Sequence, residues 1–371
     1  MKKQCALLLA LAMVFTMTAC GSQTEETVTK SGAAEAETTA FDKTEAAAES
    51  TAAAGTTAQA GNSAEGYPVT YTTYNYAKEP VEFTVEKTPE RVWAHAQDSV
   101  EILLALGLGD KIVGASGLDG EVRPELAGDF AKLNYYESMP SKEEILALEP
   151  DFIVGWYSTF GEKRLGDVDF WHERGVGTWM ALNSACRGPA VENNQTVEYE
   201  CEDILALGRI FGVEDRAQAL VDEILGSCDN INTTLGDTAR AKTAVLEDEG
   251  GTYRVYGQDV LGGNVAEHGG AELVAGLHGN NENLSAEDLI ALNPEVIFMV
   301  WYEGYTVGDA VVESDEAAAG LILDNPAFAS LQAVQNGRVY GINLKYTYCS
   351  GMNTLEGIEY FAAHLYPDLF D

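Results

Sequence analysis

Basic residues are scarce in this 371-residue chain: 22 Lys and Arg stand against 59 Asp and Glu, for a formal net charge of −37. A surface of that sign repels the phosphates of nucleic acid, so nucleic acid is excluded as a partner. Histidine is scarcer still, with five residues at 95, 172, 268, 278 and 364 and no spaced set among them. A bare zinc or manganese ion, which needs several imidazoles and carboxylates converging on one point, therefore has no site in the pattern. The six cysteines form no CxxC pair, which argues against a structural zinc site. GxSxG, HExxH, P-loop and GxGxxG motifs are all missing, and Gly107-Leu-Gly109 stops a helix rather than cradling a phosphate.

What is present begins with an address. Lys2 and Lys3 precede an apolar run, Cys5 to Met17, that ends in Met17-Thr18-Ala19-Cys20. The run falls short of the roughly 20 residues that span a bilayer, and its flanks are those of an export signal. A cysteine directly after small residues resembles the lipobox of bacterial lipoproteins. That resemblance implies a signal peptide over 1–19 and acylation of Cys20, which anchors the chain to the outer face of the cytoplasmic membrane. The alternative is an ordinary secretory signal with a chance cysteine. From Cys20 to residue 66 the chain is almost wholly Ala, Thr, Glu, Ser and Gly, with Phe41 its one aromatic residue, and reads as a disordered acidic tether. Residues 21–66 hold eight acidic residues and two lysines, and the leader holds two lysines more, so −33 of the −37 stays with the folded body. Cys186, Cys201, Cys228 and Cys349 remain after export, where a disulfide is permitted. Cys186 and Cys201 are nearest in sequence, while Cys201 and Cys228 fall on apolar helix faces that suit buried thiols equally well. The pairing stays open.

The body reads as a duplicated α/β unit. Residues 67–87 alternate like a β-hairpin, and Pro89-Glu-Arg-Val-Trp-Ala-His95 like a strand. Asp98-Ser-Val-Glu101 has the form of a capping box opening a helix that stops at Gly107, and Asn353-Thr-Leu-Glu356 has the same form near the end. Two segments repeat. Ser141-Lys-Glu-Glu-Ile-Leu-Ala-Leu-Glu-Pro150, running on to Trp156-Tyr157, matches Ser285-Ala-Glu-Asp-Leu-Ile-Ala-Leu-Asn-Pro294, running on to Trp301-Tyr302. Each predicts a Ser-capped helix of about two turns, then a buried strand. Between the copies, apolar or small residues at 217, 220, 221, 224, 225, 228, 231 and 235 predict one helix of roughly 33 Å, a strut between two similar lobes. The expected organisation is an N-terminal lobe over 67–212, a connecting helix over 213–236 and a C-terminal lobe over 237–371. The fold class is α/β, with parallel-rich, Rossmann-like sheets and a ligand cleft between the lobes.

These residues resemble the substrate-binding lipoproteins of type II ABC importers for ferric siderophores, haem and cobalamin. The likeness runs over about 68–371 and includes Pro89-Glu-Arg-Val, Glu101-Ile-Leu-Leu-Ala-Leu-Gly107, both repeats and Asp203-Ile-Leu-Ala-Leu-Gly208. It also takes in Asn325-Pro-Ala-Phe-Ala-Ser-Leu331 and Asn336-Gly-Arg-Val-Tyr340. It implies a monomeric, non-enzymatic receptor without a cofactor that hands its cargo to a permease and its ATPase. It also implies docking on the permease through Glu143 and Glu287, one per lobe. In the residues themselves, each glutamate lies in a first helical turn, where the dipole favours a carboxylate without any partner.

Loops at the carboxyl ends of strands are expected to line the cleft with Trp93 and His95, with Trp156, Tyr157 and Phe160, with Trp301, Tyr302 and Tyr305, and with Tyr346 and Tyr348. Aromatic walls suit a large, flat or greasy ligand. Arg123, Arg164, Arg187 and Arg254 are the cleft-loop arginines, too few in so acidic a body for a triply charged catecholate, so a neutral or weakly charged chelate is expected. A ferric siderophore leads, with cobalamin or haem as alternatives in the same cleft. Tyr346, Tyr348 and His95 are the candidate axial ligands for haem. A surface enzyme acting on a tetrapyrrole or chelate is the reading from another class, and an adhesion or sensory lipoprotein that has lost transport is a third.

Overall fold

The computed structural model describes residues 66–185, 194–278, 283–348 and 350–370. The expected signal, Cys20 and the tether as far as residue 65 lie outside the described residues, as do Cys186, Arg187 and Cys349.

The alternating opening segment forms an antiparallel hairpin, β1 (Val69–Tyr74) with β2 (Pro80–Val85), in which Val69 faces Val85 and Tyr74 faces Pro80. Five parallel strands make the first lobe: β3 (Val92–His95), β4 (Ile112–Ser116), β5 (Tyr135–Tyr136), β6 (Phe152–Gly155) and β7 (Gly177–Met180). They lie in the order β5-β4-β3-β6-β7. The runs VWAH, FIVG and GTWM are buried at every position, as expected of parallel strands covered on both faces. Helices α1 (Gln97–Ala105) and α2 (Lys142–Ala147) follow β3 and precede β6; α3 (Val197–Phe211) comes after β7.

The strut is a single helix, α4 (Glu214–Leu235), of 22 residues. It buries Ala217, Val221, Ile224, Cys228, Ile231 and Leu235, whereas Leu225, on the predicted stripe, is 39% exposed. Against it pack α3 from the first lobe, and α5 (Leu261–His268) and α7 (Asn353–Leu365) from the second. Cys201 on α3 and Cys228 on α4 are buried, free thiols.

The second lobe carries β8 (Ala241–Asp248), β9 (Tyr253–Val255), β10 (Ala271–Leu273), β11 (Val296–Trp301) and β12 (Val339–Asn343). Their order is β10-β8-β11-β12, all parallel, with β9 antiparallel to the end of β8. The repeats superpose in kind. Ser141 opens α2 and Ser285 opens α6 (Ala286–Leu292), each with a complete capping box, closed by Glu144 and Asp288 respectively.

The other two predicted capping boxes are not formed. α1 follows Ala96, held at φ 92°, and α7 follows Met352; neither has a side-chain cap. The reason is that these two helix starts face each other across the lobe boundary. Glu101 accepts from Gln97 within its own helix and Asp98 from Ser99, and groups at both starts also pair across the boundary. The Asn353 side-chain amide donates to Glu101 on α1, and the Gly351 N–H donates to Glu200 on α3 at 2.7 Å. Arg123 crosses the same boundary, donating to the Met352 carbonyl and lying 3.5 Å from Glu356.

Gly351 sits at the tightest point, with φ 46° and with any Cβ there 2.8 Å from the Asp98 Cα. Only glycine meets both demands. Gly351→Ala is expected to cost on the order of 2–4 kcal/mol of stability, read from the urea unfolding midpoint. A loss within 0.5 kcal/mol, roughly the range of a neutral surface change, would show that the lobe boundary is not as close-packed as described.

Candidate functional site in the cleft between the lobes

In each sheet the strand order reverses once: between β3 and β6 in the first lobe, and between β8 and β11 in the second. Loops leave such a switch point in opposite directions, and the crevice they open beyond the carboxyl ends is where α/β sheets bind ligands. His95 ends β3 and Trp156 directly follows β6; Trp301 ends β11. Sequence repetition therefore becomes spatial repetition. It extends to a shared hydrogen bond: the Trp156 indole donates to Asp98 Oδ2 at 2.6 Å, and the Trp301 indole to Asp315 Oδ1 at 2.6 Å. In both lobes a carboxylate at the start of a helix fixes the plane of the tryptophan.

Three connected cavities run along the cleft. The inner one, about 430 Å³, is lined by His95, Trp156, Tyr157, Arg164 and Met139 from the first lobe and by Tyr348 from the second. Trp156 and Tyr348 meet across it with ring centres 4.9 Å apart. The middle cavity, about 490 Å³, lies between the 119–121 loop and Trp301, Glu303, Glu313 and Lys345. A third, about 640 Å³, extends along the first-lobe wall past Phe130 and Tyr135 and shares Glu121 and Glu303 with the middle one.

His95 is buried and has both ring nitrogens engaged. Arg164 Nη1 donates to Nε2 at 3.3 Å, so Nδ1 carries the proton and donates to Ser116 Oγ at 2.8 Å. Burial and the nearby Arg164 guanidinium push its pKa down to about 4, which keeps the ring neutral. Gly117, at φ 82°, lies flat against this ring; a Cβ there would fall 2.6 Å from it. Tyr157 stacks on Tyr76 from the hairpin turn at 5.9 Å, and Lys78 Nζ lies 4.5 Å above its ring.

Several expected lining residues belong elsewhere. Trp93 and Phe160 are fully buried in the first-lobe core with Ile145, Ile153 and Trp171. Trp93 lies two residues before His95 on the same strand and packs on Tyr136, ring centres 5.7 Å apart, instead of reaching the cleft. Tyr305 is buried in the second-lobe core, donating to the Asp248 carbonyl, and Tyr302 packs against it. Tyr346 stacks on Tyr360, and its neighbour Lys345 lines the cleft instead. Among the arginines, Arg123 is spent on the lobe boundary, and Arg254 pairs with Glu247 at 3.3 Å. Arg164 alone of the three described lines the inner cavity. Glu143 and Glu287 are exposed in the first turns of α2 and α6. Reasoning from sequence missed Asp119, Glu121, Glu137, Met139, Glu303 and Glu313, all in loops with no motif to mark them.

Residues 182–346 match the family described as Periplasmic binding protein. An uncharacterized ABC transporter substrate-binding lipoprotein of Bacillus subtilis is 23% identical over 304 residues, 77% of this chain and 83% of that protein. A vitamin B12-binding protein of Vibrio parahaemolyticus is 34% identical over 89 residues, 24% of this chain and 28% of its own. The crystal structure of a periplasmic binding protein from Veillonella parvula superposes with a TM-score of 0.71 at 29% identity, covering 81% of this chain and 92% of that one. The chain is thus a two-lobed α/β protein similar to the periplasmic binding proteins, in sequence over residues 182–346 and in fold over most of its length.

Next to the inner cavity lies a buried set of carboxyls. Burial holds Asp98 and Glu200 well above the ordinary carboxylate range, the Glu200 charge pushes Asp98 further, and burial raises Glu101 as well. The folded protein therefore keeps protons that the unfolded chain has released. His268, raised to about 10 by the Cys228 thiol and Glu198, acts in the same direction above pH 6.5. For raised groups, stability is present at low pH and lost as pH rises through the folded values. Stability is thus expected to fall between about pH 6.5 and 8.5, by up to about 1.4 kcal/mol per pH unit for each proton retained. Urea titrations across that window that show a flat or rising midpoint would contradict this.

Proposed function

We propose that this protein is the extracytoplasmic, lipid-anchored receptor of an ABC importer. It takes a metal chelate into the cleft between its lobes, a ferric siderophore first, and presents it to a permease through Glu143 and Glu287. The observation that carries the reading is the convergence of Trp156, Tyr157, Trp301 and Tyr348 on one crevice at the two switch points. Aromatic faces on both walls give area and rigidity at small entropic cost, which suits a broad, partly apolar ligand. The strut, with one rigid helix packed on both lobes, supports a small closure on binding.

Cobalamin is the second reading, favoured by the vitamin B12-binding relative named above and by the pairing of Trp156 with Tyr348 across the cleft, rings tilted at 42°. Haem is less well served, because both His95 nitrogens are already engaged. Against an enzyme, the inner cavity pairs no serine, cysteine or threonine nucleophile with a base: its one histidine is held by Ser116 and Arg164.

Tryptophan fluorescence of the soluble 67–371 fragment, titrated with hydroxamate and catecholate ferric siderophores, cobalamin and haem, tests the cargo. Saturable quenching by one class at micromolar or lower concentration is expected, with Trp156→Leu weakening it about tenfold or more. No response to any of them would sink the chelate assignment. Docking is tested in cells: Glu143→Lys with Glu287→Lys should abolish uptake while the purified protein keeps its ligand affinity. Undiminished uptake would remove both glutamates from the docking face.

A further inference from the structure

We infer that the ligand selected by this cleft carries positive charge, an inference that rests on the chelate reading above. Five carboxylates line the connected cavities, and they come from opposite walls. Asp119, Glu121 and Glu137 belong to the first lobe, and Glu303 and Glu313 to the second. None of the five forms an ion pair or a side-chain hydrogen bond among the described residues. Acidic groups that hold structure elsewhere have partners: Glu198, Glu247 and Glu356 pair with cations, and Glu101, Glu200, Asp98 and Asp315 accept hydrogen bonds.

Among the described residues two cations face the same space, and both have other contacts. Arg164 lies at the inner end, bonded to His95 Nε2 and 3.2 Å from Met139 Sδ. Lys345 Nζ lies 4.9 Å over the ring of Tyr346. His95, the remaining titratable cation in the cavities, is neutral. Like charges therefore confront each other across the mouth, within a body whose overall charge is strongly negative. Low-dielectric walls focus that field into the cleft. An anionic chelate entering here meets repulsion from both lobes, whereas a cationic one relieves the repulsion and draws the two walls together. The aromatic faces contribute in the same sense, since their π-surfaces attract a cation. The shared chemistry is a cationic chelate, whether its source is a hydroxamate siderophore with a free amine or a corrinoid lacking its anionic nucleotide loop.

The test uses the full-length protein purified in detergent and two sets of probes matched in shape. One is a linear ferric trihydroxamate with its terminal amine free, acetylated or succinylated, hence cationic, neutral or anionic. The other is a nucleotide-free corrinoid in its cationic aquo-cyano and neutral dicyano forms. The member carrying positive charge is expected to bind more tightly than its uncharged or anionic counterpart. Between the cationic and succinylated trihydroxamates the ratio should be about tenfold or more at low salt, shrinking several-fold at high salt. Glu303→Gln with Glu313→Gln should narrow that ratio. Asp222→Asn with Glu223→Gln, on the exposed face of α4, should leave it unchanged. Equal binding of the differently charged members, or an equal effect of the α4 pair, overturns the inference while the chelate reading stands. Failure of every probe in both sets overturns the chelate reading, and the inference with it.

Discussion

The arrangement of the two lobes depends on a small number of carboxyl groups placed at a helix start that is not their own. Glu101 and Glu200, on helices of the first lobe, accept from Asn353 and from the Gly351 amide at the head of the last helix of the second. An acidic side chain at a helix N-terminus is favoured by the exposed N–H groups and the dipole. Here that ordinary preference is satisfied between lobes rather than within one. Burying such groups is expensive, and removing one partner would leave the other stranded in a medium of low dielectric. The boundary is therefore held in one register. That register places Tyr348 over Trp156 and brings the Trp301 loop opposite residues 119–121.

The same carboxyls tie the boundary to the site. Asp98 lies against Gly351 on one side and accepts the Trp156 indole on the other. The second lobe copies the motif with Asp315 and Trp301, but there the carboxylate also receives Tyr360 at 3.1 Å instead of abutting the other lobe. Duplication thus supplied the frame of two tryptophans on two switch points. What differs between the copies is how each aspartate is used.

The parts of the fold that were legible in sequence were those in which a local pattern has one physical outcome. Ser141 and Ser285, each followed three residues later by an acidic residue and then by apolar runs and proline, specify helix, stop and buried strand whatever surrounds them. The apolar spacing over 217–235 is likewise decided by helical periodicity. Asp98–Glu101 and Asn353–Glu356 satisfy the same capping pattern and do something else, because each faces a partner from the other lobe that no local rule includes. The site was half legible. Trp156, Tyr157, Trp301, Tyr348 and His95 sit where strand ends place them. Trp93, Phe160 and Tyr305 have the same composition and lie one layer too deep. The acidic lining carried no signal because acidic residues are everywhere in this chain, and only the fold shows which of them face each other.

The order in which the chain becomes available gives the boundary a further meaning. During synthesis the first lobe emerges long before residues 351–353, so Glu101 and Glu200 must wait without the donors that complete them. Without the final helix, Glu101 lacks the Asn353 amide and Glu200 the Gly351 N–H, and Asp98 lacks the backbone packed against it. The terminal helix closes the core and fixes the lobes together, so a chain truncated before α7 loses the contacts that set Tyr348 over Trp156 along with its C-terminal helix.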